Sequence, residues 1–187
     1  MSAKALRSIY QLKISLKMSK PEIWRRLHIT STCNLEQLHI AIQIAMGWTN
    51  AHLHEFSQGE ARYGAPDSQM TYDIYDESEF RLAQLFRAEG DRMHYVYDFG
   101  DGWEHDIVLE KILPFATDIA LPFCIEGQRA CPPEDVGGIP GYELLLETIS
   151  DPSHPDYDDV LEWLGGDYDA DHLDLPLIND LLQEYCA

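Results

Sequence analysis

Along residues 8–18 apolar and polar side chains alternate. Tyr10, Leu12, Ile14, Leu16 and Met18 fall on one face, and Gln11, Lys13, Ser15 and Lys17 on the other. A period of two is that of a half-buried strand. Ser19-Lys20-Pro21-Glu22 reads as a turn, and Ile23, Leu27 and Ile29 resume the alternation, so the chain is expected to open with a hairpin. The period then changes. Leu35, Leu38, Ile42, Ala45 and Met46 recur at helical spacing, with Asn34 and Gln37 placed for a capping box and Gly47 for the stop. The spacing predicts a helix over 35–46.

Residues 51–57 alternate again and predict a third strand. Residues 58–78 are polar and read as a loop holding a short strand near Met70 to Tyr75, followed by a short helix over 79–86. Met93, Tyr95, Tyr97 and Phe99 face Trp103, His105, Ile107 and Leu109 across Gly100-Asp101-Gly102, the pattern of a second hairpin. Residues 112–139 carry Pro114, Pro122, Pro132, Pro133, Gly137 and Gly138 and read as irregular. Apolar stripes over 141–149, 157–164 and 177–185 predict three helices. Strands come early and helices late, so the expected class is α+β. A single domain over 1–187 is predicted, strand-rich over 1–112 and helix-rich over 139–187.

Charge narrows the partners. Asp and Glu number 33 against 13 Lys and Arg, a net charge of −20. Residues 1–50 are net +5 and the remainder is net −25, and no Lys or Arg follows Asp151. Phosphate backbones are bound through Lys and Arg, so nucleic acid is a disfavoured partner, leaving only the basic hairpin for it. No apolar run reaches the length of a membrane span, and the first twenty residues lack a signal peptide's apolar stretch. Cys33, Cys124, Cys131 and Cys186 are scattered, which fits a reducing cytoplasm better than a disulfide scaffold.

Three groups of residues carry candidate chemistry. His52 and His54, two apart on a predicted strand, share a face, and with His105 and the carboxylate of Asp98 they make a candidate site for a divalent metal. Trp24, Arg25 and Arg26 make a candidate interaction surface. Pro133, Glu134, Asp135, Gly137 and Gly138 lie in a stretch where proline fixes φ and glycine frees it, a candidate ligand-facing loop. Asp98-Phe99-Gly100 matches the kinase magnesium motif as a string, but the His-Arg-Asp catalytic loop is missing.

Several segments occur here in one order: Ile23-Trp24-Arg25-Arg26, Leu38-His39, Met46-Gly47-Trp48, His52-Leu53-His54-x-Phe56, Tyr97-Asp98-Phe99-Gly100-Asp101-x-Trp103-x-His105 and Pro132-Pro133-Glu134-Asp135-x-Gly137-Gly138. Together they resemble the plasmid pRiA4b open-reading-frame-three-like family over nearly the whole chain. The resemblance implies an α+β fold and a link to mobile elements for some members, and it brings no established activity. Some members carry a resolvase label. That chemistry needs several arginines and a basic DNA-binding element, whereas only six Lys or Arg lie beyond residue 26. The expectation from residues and resemblance together is a non-catalytic module that binds a protein or peptide. A metal-dependent, hydrolase-like enzyme on the histidine site is the alternative, and a nucleic-acid-associated protein the third reading.

Overall fold

The computed structural model describes residues 7–65, 74–117 and 119–186. Eight strands form one sheet in the order β5-β4-β3-β6-β7-β1-β2-β8. They are β1 (Ser8–Leu16), β2 (Ile23–Thr30), β3 (His54–Gln58), β4 (Ala61–Gly64), β5 (Tyr75–Asp76), β6 (Arg92–Tyr97), β7 (Trp103–Pro114) and β8 (Phe123–Gln128). Among the described residues only the β4–β5 pair is parallel. The helices are α1 (Leu35–Met46), α2 (Leu82–Leu85), α3 (Gly138–Ser150), α4 (Tyr157–Leu164) and α5 (Leu175–Cys186). The class is α+β, with both expected hairpins present as β1–β2 and β6–β7.

The core lies between one sheet face and α1. Leu12, Ile14, Leu27, Phe56, Tyr95, Trp103, Ile107 and Leu109 from the strands join Leu35, Leu38, Ala41 and Ile42 of the helix in a single cluster. The helix starts where the sequence asks it to. Asn34 accepts the Gln37 N–H, and the Gln37 side chain accepts the Asn34 N–H. It ends at Gly47, at φ 93°, a left-handed conformation that glycine adopts without a Cβ penalty. Polar side chains fix α1 across the sheet. The Tyr95 hydroxyl on β6 hydrogen-bonds His39 Nδ1 at 2.8 Å and accepts from Gln43 Nε2 at 3.0 Å. At the other end, Arg25 of β2 donates to the Ala45 carbonyl at 2.7 Å.

The opposite face of β7–β1–β2 is polar, as antiparallel sheets allow. Arg26 pairs with Glu110 and Glu126, Lys13 pairs with Glu22, and Trp24 lies under both the Arg26 guanidinium and the Lys13 ammonium. This corrects the reading of Trp24, Arg25 and Arg26 as one presented surface. Arg25 is 2% exposed and points into the core, because β2 buries every second residue from Ile23. Arg26 is committed to two carboxylates.

Strand β8 lies inside the stretch read as irregular. It forms the edge beside β2, and α5 packs on it and on α1. Asn179 of α5 caps the free edge of β8 at Cys124: its side chain accepts the Cys124 N–H at 2.7 Å and donates to the Cys124 carbonyl at 2.9 Å. Of the short strand expected near Met70 to Tyr75, residues 70–73 lie outside the described residues, and Tyr75 begins β5. Among the described residues no helix is long and apolar enough to cross a membrane.

Candidate functional site

Three connecting segments meet beside β6 and β7: the chain from Gly47 to Leu53, the β6–β7 turn, and the loop from Ala130 to Gly137 between β8 and α3. The turn is shaped first. Asp98 takes φ 54°, uncommon for a residue with a Cβ, and three bonds hold it there. Its N–H donates to the Leu53 carbonyl at 2.9 Å, its carbonyl accepts from Gly102 N–H at 2.6 Å, and its Oδ1 accepts from Gly100 N–H at 2.8 Å. Oδ2 is left facing His52.

The Ala130–Gly137 loop is then tied on. Trp48 Nε1 donates to the Pro132 carbonyl at 3.0 Å, the Tyr97 hydroxyl and the Thr49 hydroxyl donate to the Glu134 carboxylate, and Gly137 N–H donates to Asp101 Oδ2 at 3.1 Å. Burial and the facing Glu134 carboxylate raise the Tyr97 phenol well above its ordinary pKa, so it stays a proton donor. Gly138 makes the closest approach. It sits at φ 68°, and a Cβ there would lie 2.4 Å from the Asp101 carbonyl oxygen. At Gly137, φ 94°, the nearest atom would be Gly141 Cα at 3.7 Å. Gly138→Ala is therefore expected to cost about 3 kcal/mol, for the clash and the left-handed backbone, against about 1 kcal/mol for Gly137→Ala. Urea unfolding of the two variants checks this, and equal losses would mean that the loop does not depend on that contact.

The structure divides the predicted histidine set. His52 and Asp98 meet, and Asp135, predicted as part of the ligand-facing loop, joins them. His52 Nε2 is 3.2 Å from Asp135 Oδ1 and 3.8 Å from Asp98 Oδ2. One donor atom from each of the three residues falls within 4.8 Å of the others. His54 does not share a face with His52, because β3 begins only at His54 and the two-residue period does not reach back to His52. Instead His54 Nε2 pairs with Glu77 at 2.8 Å, and its ring stacks on His39 with centroids 3.4 Å apart. His105 is in the core, where the Trp48 ring meets it edge-on at 5.4 Å and the Tyr95 ring is as close. Backbone carbonyls of Tyr95 and Trp103 lie near its ring, yet neither ring nitrogen makes a well-aligned hydrogen bond. Burial lowers its pKa to about 3, so the ring is neutral.

Pro133, Glu134, Asp135, Gly137 and Gly138 all lie on the loop and the first turn of α3. Glu134 faces inward as its anchor, whereas the Asp135 side chain is 71% exposed. Beyond Asp135 the surface falls into a groove of about 320 Å³ between α3 and α4. Val136, Leu144, Leu145, Val160 and Trp163 form its apolar walls, and Asp135, Asp156 and Asp159 stand on its rim. Leu144 is 58% and Trp163 52% exposed, both large apolar side chains turned to solvent at one place. The apolar stripes of α3 and α4 were legible in the sequence. That the two helices splay to leave a groove beside the Pro-Pro-Glu-Asp loop was not.

Comparison with known proteins follows the same outline. The family profile described as plasmid pRiA4b ORF-3-like protein matches residues 8–176. "Uncharacterized protein y4hQ" of Sinorhizobium fredii (strain NBRC 101917 / NGR234) is 37% identical over 182 residues, spanning 96% of this chain and 93% of that protein. The crystal structure of a protein of unknown function, MM3350 from Methanosarcina mazei Go1, superposes with a TM-score of 0.84 at 36% identity, over 92% of this chain and 98% of the other.

Proposed function

The chain belongs to the plasmid pRiA4b ORF-3-like family, and from that premise we propose that it is a binding module for a basic peptide segment carrying a large apolar side chain. The names of the matched relatives state no activity, so the reading stands on the groove. Its carrying observation is the exposure of Leu144 and Trp163 over a 320 Å³ groove rimmed by Asp135, Asp156 and Asp159. Contiguous exposed apolar surface framed by polar residues is the usual mark of a binding surface. Aromatic anchors dominate such surfaces. The rim fixes the sign of the partner. With no Lys or Arg after Asp151, the field over α4 attracts Lys and Arg and repels acids.

A fluorescently labelled peptide with one Leu or Phe between Lys and Arg residues tests this by anisotropy. Saturable binding is expected, with affinity falling at least about tenfold in Leu144→Asp and in Trp163→Ala. The double variant Asp156→Asn/Asp159→Asn is expected to bind less tightly and with a flatter salt dependence. Equal binding of a peptide in which Gly replaces the apolar residue would overturn the reading, because it would reduce recognition to charge alone. So would an absence of binding.

A further inference from the structure

We propose that His52, Asp98 and Asp135 form a site for one divalent cation of the Mn²⁺ or Fe²⁺ type, a reading independent of the peptide groove although Asp135 borders both. The donors come from three separate segments: His52 from the chain before β3, Asp98 from the β6–β7 turn and Asp135 from the loop before α3. Their convergence is produced by the tertiary fold and by the bonds that tie turn and loop together.

The histidine carries the argument. His52 Nε2 is shielded from solvent, yet no hydrogen bond satisfies it. The Asp135 oxygen at 3.2 Å is close enough to accept one but poorly aligned, and the Asp98 oxygen at 3.8 Å is too far. A buried ring nitrogen without a partner costs free energy. Here it lies within 4 Å of two carboxylate oxygens, where a cation satisfies all three at once.

The spacing fits. A small cation about 2.1 Å from each donor holds neighbouring donors about 3 Å apart, so the two distances from His52, 3.2 and 3.8 Å, need a shift of less than about 1 Å, and the two carboxylates, within 4.8 Å of each other, one of less than about 2 Å. Asp135, the most exposed of the three, is placed to make that shift. Asp98 is fixed by its bond from Gly100 and has Oδ2 to give. Two carboxylates balance the charge of a dication. One imidazole nitrogen with two hard oxygens favours Mn²⁺ or Fe²⁺ over the soft thiolate-seeking metals. Three protein donors leave coordination positions for water or for a ligand's carboxylate.

Mn²⁺ titration of the full chain at about 150 mM salt, followed by loss of the free-ion electron paramagnetic resonance signal, tests the site. One Mn²⁺ per chain is expected, weakened at least about tenfold by His52→Ala and by Asp135→Asn. Asp171→Asn, an acid outside the cluster, is expected to leave the titration unchanged. Both site substitutions are at residues with exposed surface, so far-ultraviolet circular dichroism of each is expected to match the parent. Titrations of His52→Ala and Asp135→Asn that superpose on the parent would overturn the proposal. Several weak equivalents per chain would also overturn it, reducing the effect to a general attraction of cations by the acidic surface.

Discussion

Replacing Arg25 with alanine is expected to cost about 3 kcal/mol and to lower Tm by about 9 °C. Arg25 is 2% exposed, and no ion pair of the described residues includes it. Its guanidinium is held by carbonyls: Nε donates to Ala45 at 2.7 Å, and Nη1 donates to Trp24 at 2.8 Å and to Gln128 at 3.0 Å. Ala45 lies in the last turn of α1, which has no basic residue of its own. The positive charge that favours a helix C-terminus is thus supplied from the neighbouring strand. Gln128 is the last residue of β8, so the same side chain ties the edge strand to the helix. Burial lowers the Arg25 pKa from its usual value, and an arginine guanidinium keeps its charge in proteins.

Three substitutions separate these contributions. Arg25→Met keeps much of the volume and removes every bond. Arg25→Lys keeps the charge and loses the fork that reaches separate carbonyls. The expected order of stability in urea unfolding is parent, then Lys, then Met, then Ala. Parent-like stability of Arg25→Met would show that the carbonyl bonds contribute nothing beyond packing.

Lowering the pH from 7 to 5 is expected to remove about 4 kcal/mol of stability, about 2 from each of two histidines. Burial holds both His39 and His105 at a pKa of about 3, against 6.5 for a free imidazole. For His39 the neighbouring His54 lowers it further. Below pH 6.5 the unfolded chain takes up protons that the folded chain refuses. Stability is therefore complete above pH 6.5 and declines as the pH falls toward 3. Carboxylates with lowered pKa, such as Glu110 beside Arg26, lose their contribution only as the pH falls through their folded values, below this window. Partial relief of the net negative charge works in the opposite direction. Urea unfolding at the two pH values measures the sum. Equal stability at pH 7 and pH 5 would mean that both rings take up protons in the folded protein as they do in the unfolded chain, or that charge relief cancels the loss.

The parts of the fold legible in the sequence are those with local causes. The alternation of β1, the capping box of α1 and the hairpin of β6 and β7 each rest on residues within a few positions of one another. The alternation even contained the answer for Arg25. Ile23, Leu27 and Ile29 place position 25 on the core face, and only its charge argued otherwise. Strand β8 was hidden because its six residues, Phe-Cys-Ile-Glu-Gly-Gln, have no clean alternation and are set in place by pairing with β2 and by α5. The candidate site was legible in its parts and not in its assembly. His52, Asp98 and Asp135 each stood out by residue type. Their meeting depends on the Gly137 and Gly138 contacts with the β6–β7 turn, made between residues that are 36 positions apart for Asp101 and Gly137.

The cover that Asn179 places on β8 has a consequence for synthesis. An uncovered strand edge is a template for another chain. Asn179 follows Cys124 by 55 residues, so the strand leaves the ribosome well before the helix that shields it. A nascent chain that has completed β8 but not α5 therefore carries at Cys124 an open donor and acceptor that the finished protein has capped. The acidic run between the two, without a single Lys or Arg after Asp151, gives that unfinished chain a mutual repulsion toward its neighbours on the same message.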